Sequence, residues 1–235
     1  MRASYVGTEL ELFASARRWK AYFAGALAPF VGGRVLEVGA GIGSNVPYLH
    51  GGQVREWTSL EPDPALARRI EERVAAGELP GDCKVVVGTL GGVGDRGPFD
   101  TILYLDVLEH IADDGAELAR AATLLAPGGR LVVLAPAHPF LFSPFDAAVG
   151  HHRRYSARSL AALSPPGCRL RARLMLDSAG LLASVANRML LRSAEPTPRQ
   201  IAFWDRVLVP LSRVLDALLG QRLGKTVVAV WSRAA

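Results

Sequence analysis

Three groups of residues have types and spacings that could do chemistry. The first is Glu37 followed by Gly39, Ala40, Gly41, Gly43 and Asn45. Glycine lets a chain turn sharply and lets a ligand lie directly against the backbone. A carboxylate at the same spot would favour a ligand carrying positive charge. The second is Asp106, Glu109 and His110. An imidazole that titrates near neutral pH can act as a general base. It can also join the two carboxylates around a divalent metal, or simply orient a loop. The third runs from His138 through Phe142 and Asp146 to His151, His152, Arg153, Arg154 and Tyr155. It mixes bulky apolar residues with a dense polar cluster, a composition that suits a pocket better than a solvated loop or a core. There His151, His152 or Asp146 could take a proton, and either arginine could grip a carboxylate or phosphate with two bonds. The alternative is an ion pair from Asp146 to an arginine that staples the loop.

Alternating strands and helices must position these groups. Val35–Val38 reads as a buried parallel strand ending in the glycine turn, with a helix beginning near Ser44 and Pro47 in its first turn. Trp57–Leu60 reads as a second strand, ending at Glu61, Pro62 and Asp63 about 20 residues beyond the glycines. Pro64 opens a helix to about Ala76, and Lys84–Val87 is a third strand leading to Thr89 and Leu90. Gly91–Gly94 reads as a loop. Phe99–Leu105 is a strand that delivers Asp106, and Asp113 and Asp114 start a helix to Leu125. A Pro-Gly-Gly turn at 127–129 leads into a strand ending at Pro136. Ser156 caps a helix through Leu163. Arg169–Leu176 alternates arginine with apolar residues, as a strand with one exposed face does, and Thr226–Trp231 is the last strand.

The spacing separates two ligand classes. A dinucleotide turn wants its third glycine at position 44, which is Ser44, and the glycine falls one residue early at Gly43. Glu37 would repel a pyrophosphate. S-adenosylmethionine carries an ammonium and a sulfonium, and here the sequence resembles the class I S-adenosylmethionine-dependent methyltransferases. Their first motif has the form acid-x-Gly-x-Gly-x-Gly. Asp106-x-x-Glu109-His110 is similar to their fourth motif in small-molecule enzymes, not to the Asn/Asp-Pro-Pro-Tyr/Phe of base-amine methylation. Leu125-x-Pro-Gly-Gly-x-Leu131 matches a further landmark, and Asp146 to Tyr155 is similar to a loop in bacterial members of unassigned substrate.

The resemblance implies an α/β fold. Its Rossmann-like sheet of seven strands is mostly parallel, with strand seven antiparallel between five and six, and has helices on both faces. It implies that Glu37 and the glycine turn hold the methionine end and that Glu61 accepts the ribose hydroxyls, with Pro62, Leu105 and Asp106 beside the cofactor. At the position that often carries an Asp for the adenine, this chain has Thr89 and Leu90. His110 would look toward the acceptor.

One domain is expected over 1–235. A helix over Leu10–Phe30 forms an N-terminal cap (1–33). In the resembled family such a helix often lies over the cofactor, so Trp19 and Tyr22 either wall the substrate site or pack as core aromatics. The stretch 177–225 is a helical insertion between strands six and seven, with helices over Ser178–Leu191 and Arg199–Leu219, the latter broken at Pro210. Ile201, Trp204, Leu208, Leu211, Leu215 and Leu218 mark one apolar stripe, which would serve a lid, a dimer interface or a membrane surface.

Composition limits the alternatives. Half the residues are hydrophobic and 21% are charged, and no apolar run reaches the ~20 residues of a membrane span. Met1–Tyr5 lacks the apolar core of a secretory signal, so a cytoplasmic protein without stable membrane insertion is expected. Cys83 and Cys168 are distant, without metal-site spacing, and read as two buried thiols. The net charge of +5 is mostly arginine, much of it between Arg153 and Arg173, with no lysine-rich tail. An anionic small substrate accounts for that cluster without nucleic acid.

The sequence therefore predicts methyl transfer from S-adenosylmethionine to a small molecule by a monomer or homodimer, with no resident metal and with the acceptor atom open. Three rivals remain: an enzyme acting on a lipid-linked acceptor at a membrane, a protein of this fold that does not methylate, and an NAD-dependent oxidoreductase with an unusual turn.

Overall fold

The computed structural model describes residues 9–188 and 197–234. The Met1–Tyr5 reading and the end of the helix expected to reach Leu191 lie outside them. Seven strands form a single sheet: β1 (Gly33–Val38), β2 (Val54–Glu61), β3 (Cys83–Val87), β4 (Phe99–Leu105), β5 (Leu125–Pro136), β6 (Cys168–Leu176) and β7 (Thr226–Arg233). Their order across the sheet is β3-β2-β1-β4-β5-β7-β6. Strands β1 to β5 are parallel, and β7 runs antiparallel to both β5 and β6. The expected topology is borne out.

The period-two alternation of side chains divides the interior. Leu36, Val38, Ile102, Tyr104, Leu131 and Val133 face one core. Val35, Leu103, Val132, Leu134, Val228 and Val230 face the other. Both faces of the central strands are therefore apolar, as a parallel sheet covered on each side requires. Glu37 is the exception: it shares the face of Val35 but is a buried carboxylate. The parallel order changes direction between β1 and β4, so the carboxyl ends of these neighbours open a crevice there.

The helices depart from expectation in four places. The single N-terminal helix is two, α1 (Glu9–Ala14) and α2 (Arg17–Leu27), followed by a 3-10 turn at Ala28–Phe30. The helix after the glycine turn is only one turn, α3 (Val46–Leu49), with Pro47 in it. So short a helix adds little dipole, and charge at that end of the sheet comes from side chains. Gly91–Gly94 contributes to two 3-10 turns, Leu90–Gly92 and Gly94–Arg96, rather than an irregular loop. Pro127–Gly129 lies within β5 as a register irregularity against β4. Elsewhere α4 (Pro64–Ala75), α5 (Asp114–Thr123), α6 (Pro144–Ala148) and α7 (Ala157–Ala162) flank the sheet.

The helices beyond β6 are α8 (Ser178–Ala186), α9 (Pro198–Phe203) and α10 (Val209–Leu218). Pro210 does not break the second helical segment. A π-helical turn at Trp204–Leu208 precedes it, and the Val209 N–H reaches back to the Trp204 carbonyl. The widened turn absorbs the proline. The apolar stripe is also corrected. Ile201, Trp204 and Val209 are buried, but so are Asp205, Ser212 and Asp216, whereas Leu211 and Leu218 are exposed. Phe203, Val207 and Val214 are exposed with them.

Buried acids bind this layer together. Asp205 accepts from the Trp19 N–H at 2.9 Å, near the first turn of α2. Asp216 accepts from the N–H groups of Asp177 (2.7 Å) and Ser178 (3.0 Å) and from the Tyr22 hydroxyl (2.6 Å). Asp177 caps α8 and accepts from Trp204 Nε1 (2.7 Å) and Ser212 Oγ (2.6 Å). Among the described residues, no helix is long and apolar enough to cross a membrane. Cys83 is buried and Cys168 half-buried, both free.

Candidate active site

The glycine turn is built as its residue types demand. Gly39, Gly41 and Gly43 have φ of +68°, +59° and +69°, a region that side chains disfavour. A Cβ on Gly39 would lie 2.7 Å from Val107 Cγ2. The turn hooks onto β2, with the Gly39 and Ala40 N–H groups donating to the Leu60 carbonyl at 2.8 and 3.1 Å. Glu61 braces it from the next strand end: one carboxylate oxygen accepts from the Gly41 N–H (2.7 Å), the other from the Asp63 N–H (2.9 Å). Pro62 is exposed beside it. Thr89 is exposed at the end of β3, whereas Leu90 is buried.

Glu37 accepts from Asn45 Nδ2 at 2.9 Å, and its second oxygen has no hydrogen-bond partner among the described residues. Burial pushes its carboxyl up to about 7, against the opposing pull of Asn45 and Lys20. Lys20 donates to Ser44 Oγ (3.0 Å) and Asn45 Oδ1 (2.8 Å), and burial lowers its pKa. Sequence reasoning missed Lys20. Its signal was a lysine on the buried stripe of α2, in step with Ala16, Phe23 and Leu27. The expected wall residues sit elsewhere. Trp19 packs edge-on to Tyr22 and Phe23 and tilted against Trp204, and Tyr22 bonds to Asp216. Both belong to the helical layer, because the apolar face of α2 is consumed there.

The β4 end forms the other edge. Leu105 is buried, and Asp106 takes a left-handed φ of +55° with its N–H bonded to the Leu134 carbonyl at 2.9 Å. Solvent reaches Asp106, yet protein crowds it and raises its carboxyl pKa, partly offset by Lys20 and His151. A 3-10 turn, Leu108–His110, follows. It buries Glu109 completely and leaves His110 exposed, its ring 4.6 Å edge-on from that of His151.

The loop from β5 leaves and returns to the same point. The His138 N–H donates to the Tyr155 carbonyl (2.8 Å), and the Tyr155 N–H to that of Pro136 (3.0 Å). The expected ion-pair staple exists, and Arg154 makes it: Nε and Nη2 donate to the two oxygens of Asp146 at 2.9 and 3.1 Å. Ser143 donates to Asp146 as well, and His151 Nδ1 lies 3.0 Å from it. Burial works against its charge, but His151, Ser143 and Arg154 hold the Asp146 carboxyl well below the usual range. A carboxylate so held orients His151.

Arg153 pairs with Asp114 at 2.7 Å and donates to the Ala112 carbonyl at 2.6 Å. Both arginines are thus engaged in ion pairs within or beside the loop itself. Buried Tyr155 bonds to Asp114 at 2.7 Å, and His138 Nε2 is 2.9 Å from the Gly224 carbonyl. Phe142 is half-buried, and its carbonyl accepts from Arg188. His152 is exposed, and its N–H donates to the Glu109 carbonyl at 2.8 Å. The structure therefore brings the His110 and His151 rings together beyond the end of β4, ties the His152 backbone to Glu109, and engages Arg153, Arg154 and Tyr155 with Asp114 and Asp146.

A doubly wound sheet with a glycine-lined crevice and an unsatisfied carboxylate defines a class of enzymes that bind a cationic nucleoside cofactor. Residues 9–164 match the family model described as a methyltransferase domain, and the chain belongs to that family. It is 33% identical over 109 residues to a ubiquinone biosynthesis O-methyltransferase from Caulobacter sp. (strain K31), covering 45% of this chain and 41% of that protein. It is 27% identical to the chloroplastic tocopherol O-methyltransferase of Arabidopsis thaliana, over 45% of this chain and 30% of that one. The matches thus span less than half of these relatives' length. Among solved structures it is similar to geranyl diphosphate methyltransferase in complex with SAM, with a TM-score of 0.67 and 16% identity, covering 97% of this chain and 91% of that one. It is likewise similar in fold to the [4+2]-cyclase SpnF, with a TM-score of 0.63 and 13% identity, covering 93% of this chain and 81% of that one. S-adenosylmethionine is the cofactor of this family, and the dinucleotide alternative is set aside. The residues fit that cofactor: the free oxygen of Glu37 awaits a donor, and left-handed glycines leave room along the turn.

Proposed function

We propose that this protein transfers a methyl group from S-adenosylmethionine to an oxygen atom of a small molecule. Family membership and the O-methyltransferase relatives support the reaction. The observation that carries it is the pairing of a hungry carboxylate, Glu37 at the end of β1, with the His110–His151 ring pair that follows the end of the neighbouring β4. In this reading Glu37 and Asn45 hold the cofactor's ammonium end, and Glu61 turns its remaining lone pairs to the ribose. Leu105 and Asp106 lie against the cofactor, and Thr89 borders the adenine.

The cofactor supplies a methyl carbon already activated by sulfonium. The protein must align it, exclude water and receive a proton. The acceptor's O–CH3 bond forms as the S–CH3 bond breaks, and the electron pair goes to sulfur. The hydroxyl proton passes to a histidine of the 110–152 edge, within the pH range where imidazole changes charge. Isothermal titration with S-adenosylmethionine and NAD tests the cofactor. A screen of phenolic and alcoholic acceptors by mass spectrometry tests the transfer. Preference for NAD, or cofactor binding with no product that gains a methyl group, would reject the reading.

The exposed face of α9 and α10 favours a second reading, a lipid-linked acceptor met at a membrane surface. Phe203, Val207, Leu211, Val214 and Leu218 are exposed there, and Arg199, Arg206 and Arg213 beside them are exposed too. The acids of the same segment, Asp205 and Asp216, are buried. An apolar face flanked by arginines suits an anionic interface. Flotation with anionic liposomes tests this, and a protein that stays at the bottom of the gradient rejects it.

A further inference from the structure

Glu109 is fully buried, and neither of its carboxylate oxygens has a hydrogen-bond partner elsewhere in the described residues. A buried carboxylate without donors is costly, because nothing replaces the water it gave up. The His151 ring is close by, with Nε2 3.9 Å from Glu109 Oε1. That is too long for a hydrogen bond. His110 completes a set in which one ligand atom from each of Glu109, His110 and His151 lies within 4.8 Å of the other two. With a small rotamer adjustment these atoms match ligands arranged about one ion at ~2.0–2.2 Å.

The surroundings orient this set. Asp146 lies 3.0 Å from His151 Nδ1 and is fixed in turn by Arg154 and Ser143. An ionised carboxylate accepts at that nitrogen, so the proton sits on Nδ1 and the lone pair of Nε2 faces Glu109. Metal-binding histidines are commonly oriented by such a carboxylate. The backbone holds Glu109 on both sides, through the His152 N–H on the Glu109 carbonyl and the His110 N–H on that of Val107.

We propose that Glu109, His110 and His151 bind a divalent transition-metal cation. Two imidazoles and one carboxylate suit Zn2+, Mn2+, Fe2+ or Co2+ better than the oxygen-seeking Mg2+ or Ca2+. Three protein ligands leave positions open toward the crevice, past Asp106. On the methyl-transfer reading, that cation adds positive charge beside the acceptor and leaves His152 as the proton acceptor. The binding site itself does not depend on that reading.

The test uses the full chain, stripped with a chelator and exchanged into chelator-free buffer. Co2+ is titrated by visible absorption and Zn2+ by calorimetry, and S-adenosylmethionine binding is measured separately. Saturable binding of one equivalent is expected. Glu109→Gln and His110→Ala should each weaken it by at least about tenfold, with cofactor affinity within about threefold of the parent. Absence of one-equivalent binding, or wild-type affinity in His110→Ala, overturns the proposal. If Glu109→Gln does not fold by circular dichroism, His110→Ala decides alone, because that side chain is exposed. Metal binding without cofactor binding would sink the methyltransferase reading and leave the metal site standing. Cofactor binding and methyl transfer with no metal bound would do the reverse.

Discussion

Two pairs of buried carboxylates, one in the helical layer and one at the crevice, are treated in opposite ways. In the helical layer Asp177 and Asp216 are surrounded by donors from Trp204, Ser212, Tyr22 and three backbone N–H groups. At the crevice, among the described residues, Glu37 keeps one oxygen unpaired and Glu109 keeps both. Full satisfaction turns a buried charge into a staple, whereas a missing donor marks a place where something else is meant to bind. The same side-chain chemistry thus serves packing in one region and ligands in the other.

The sharpest test of the contrast is Asp177→Ala. It strands the Trp204 indole N–H, the Ser212 hydroxyl and the Gly180 N–H, and leaves Lys225 without its carboxylate at 3.5 Å. A loss of about 3–5 kcal/mol is expected in urea denaturation, and a loss under about 1 kcal/mol would erase the distinction. Gly39→Ala comes next. A side chain there meets both Val107 and a left-handed φ, so about 1–3 kcal/mol of stability should go, together with cofactor binding, as read by thermal melting with and without S-adenosylmethionine.

Glu37→Gln should behave unlike Asp177→Ala. Cofactor affinity is expected to fall at least tenfold, about 1.4 kcal/mol, by calorimetry. The melting temperature should stay level or rise, since a costly buried charge is removed. The smallest effect is on pH. The Glu37 carboxyl is raised from 4.5 to about 7 by burial. A carboxyl that holds its proton more tightly folded than unfolded stabilises the fold at low pH, and that contribution is lost as pH rises from about 4.5 through 7. A cationic ligand prefers the ionised form, so its affinity should climb about fivefold between pH 6 and 7. A flat profile in the parent, or the same climb in Glu37→Gln, would break the assignment.

Most of the fold was legible because local signals agreed. The apolar runs at Val35, Ile102 and Leu131 gave buried strands, and the glycine spacing gave the turn. The antiparallel β7 followed from resemblance, not from any local pattern. What escaped was long-range. Lys20 looked like the polar edge of an amphipathic helix, and only the crevice shows that it serves Asn45 and Ser44. Arg153 and Arg154 read as an anion clamp because sequence reveals charge but not its partner, and Asp114 and Asp146 claim them. The stripe through Leu211 and Leu218 failed because a π-helical turn shifts the register downstream and because acids, not leucines, face inward.

The position of β7 also bears on how the chain assembles. This strand, the last along the described sequence, lies between β5 and β6 and, among the described strands, alone joins β6 to the sheet. During synthesis, β5 therefore presents a bare, aliphatic edge until residues 226–233 emerge. A nascent chain in that state is open to pairing with its neighbours. Its safe maturation rests on how quickly β7 slots home, a vulnerability of the half-built sheet rather than of the finished one.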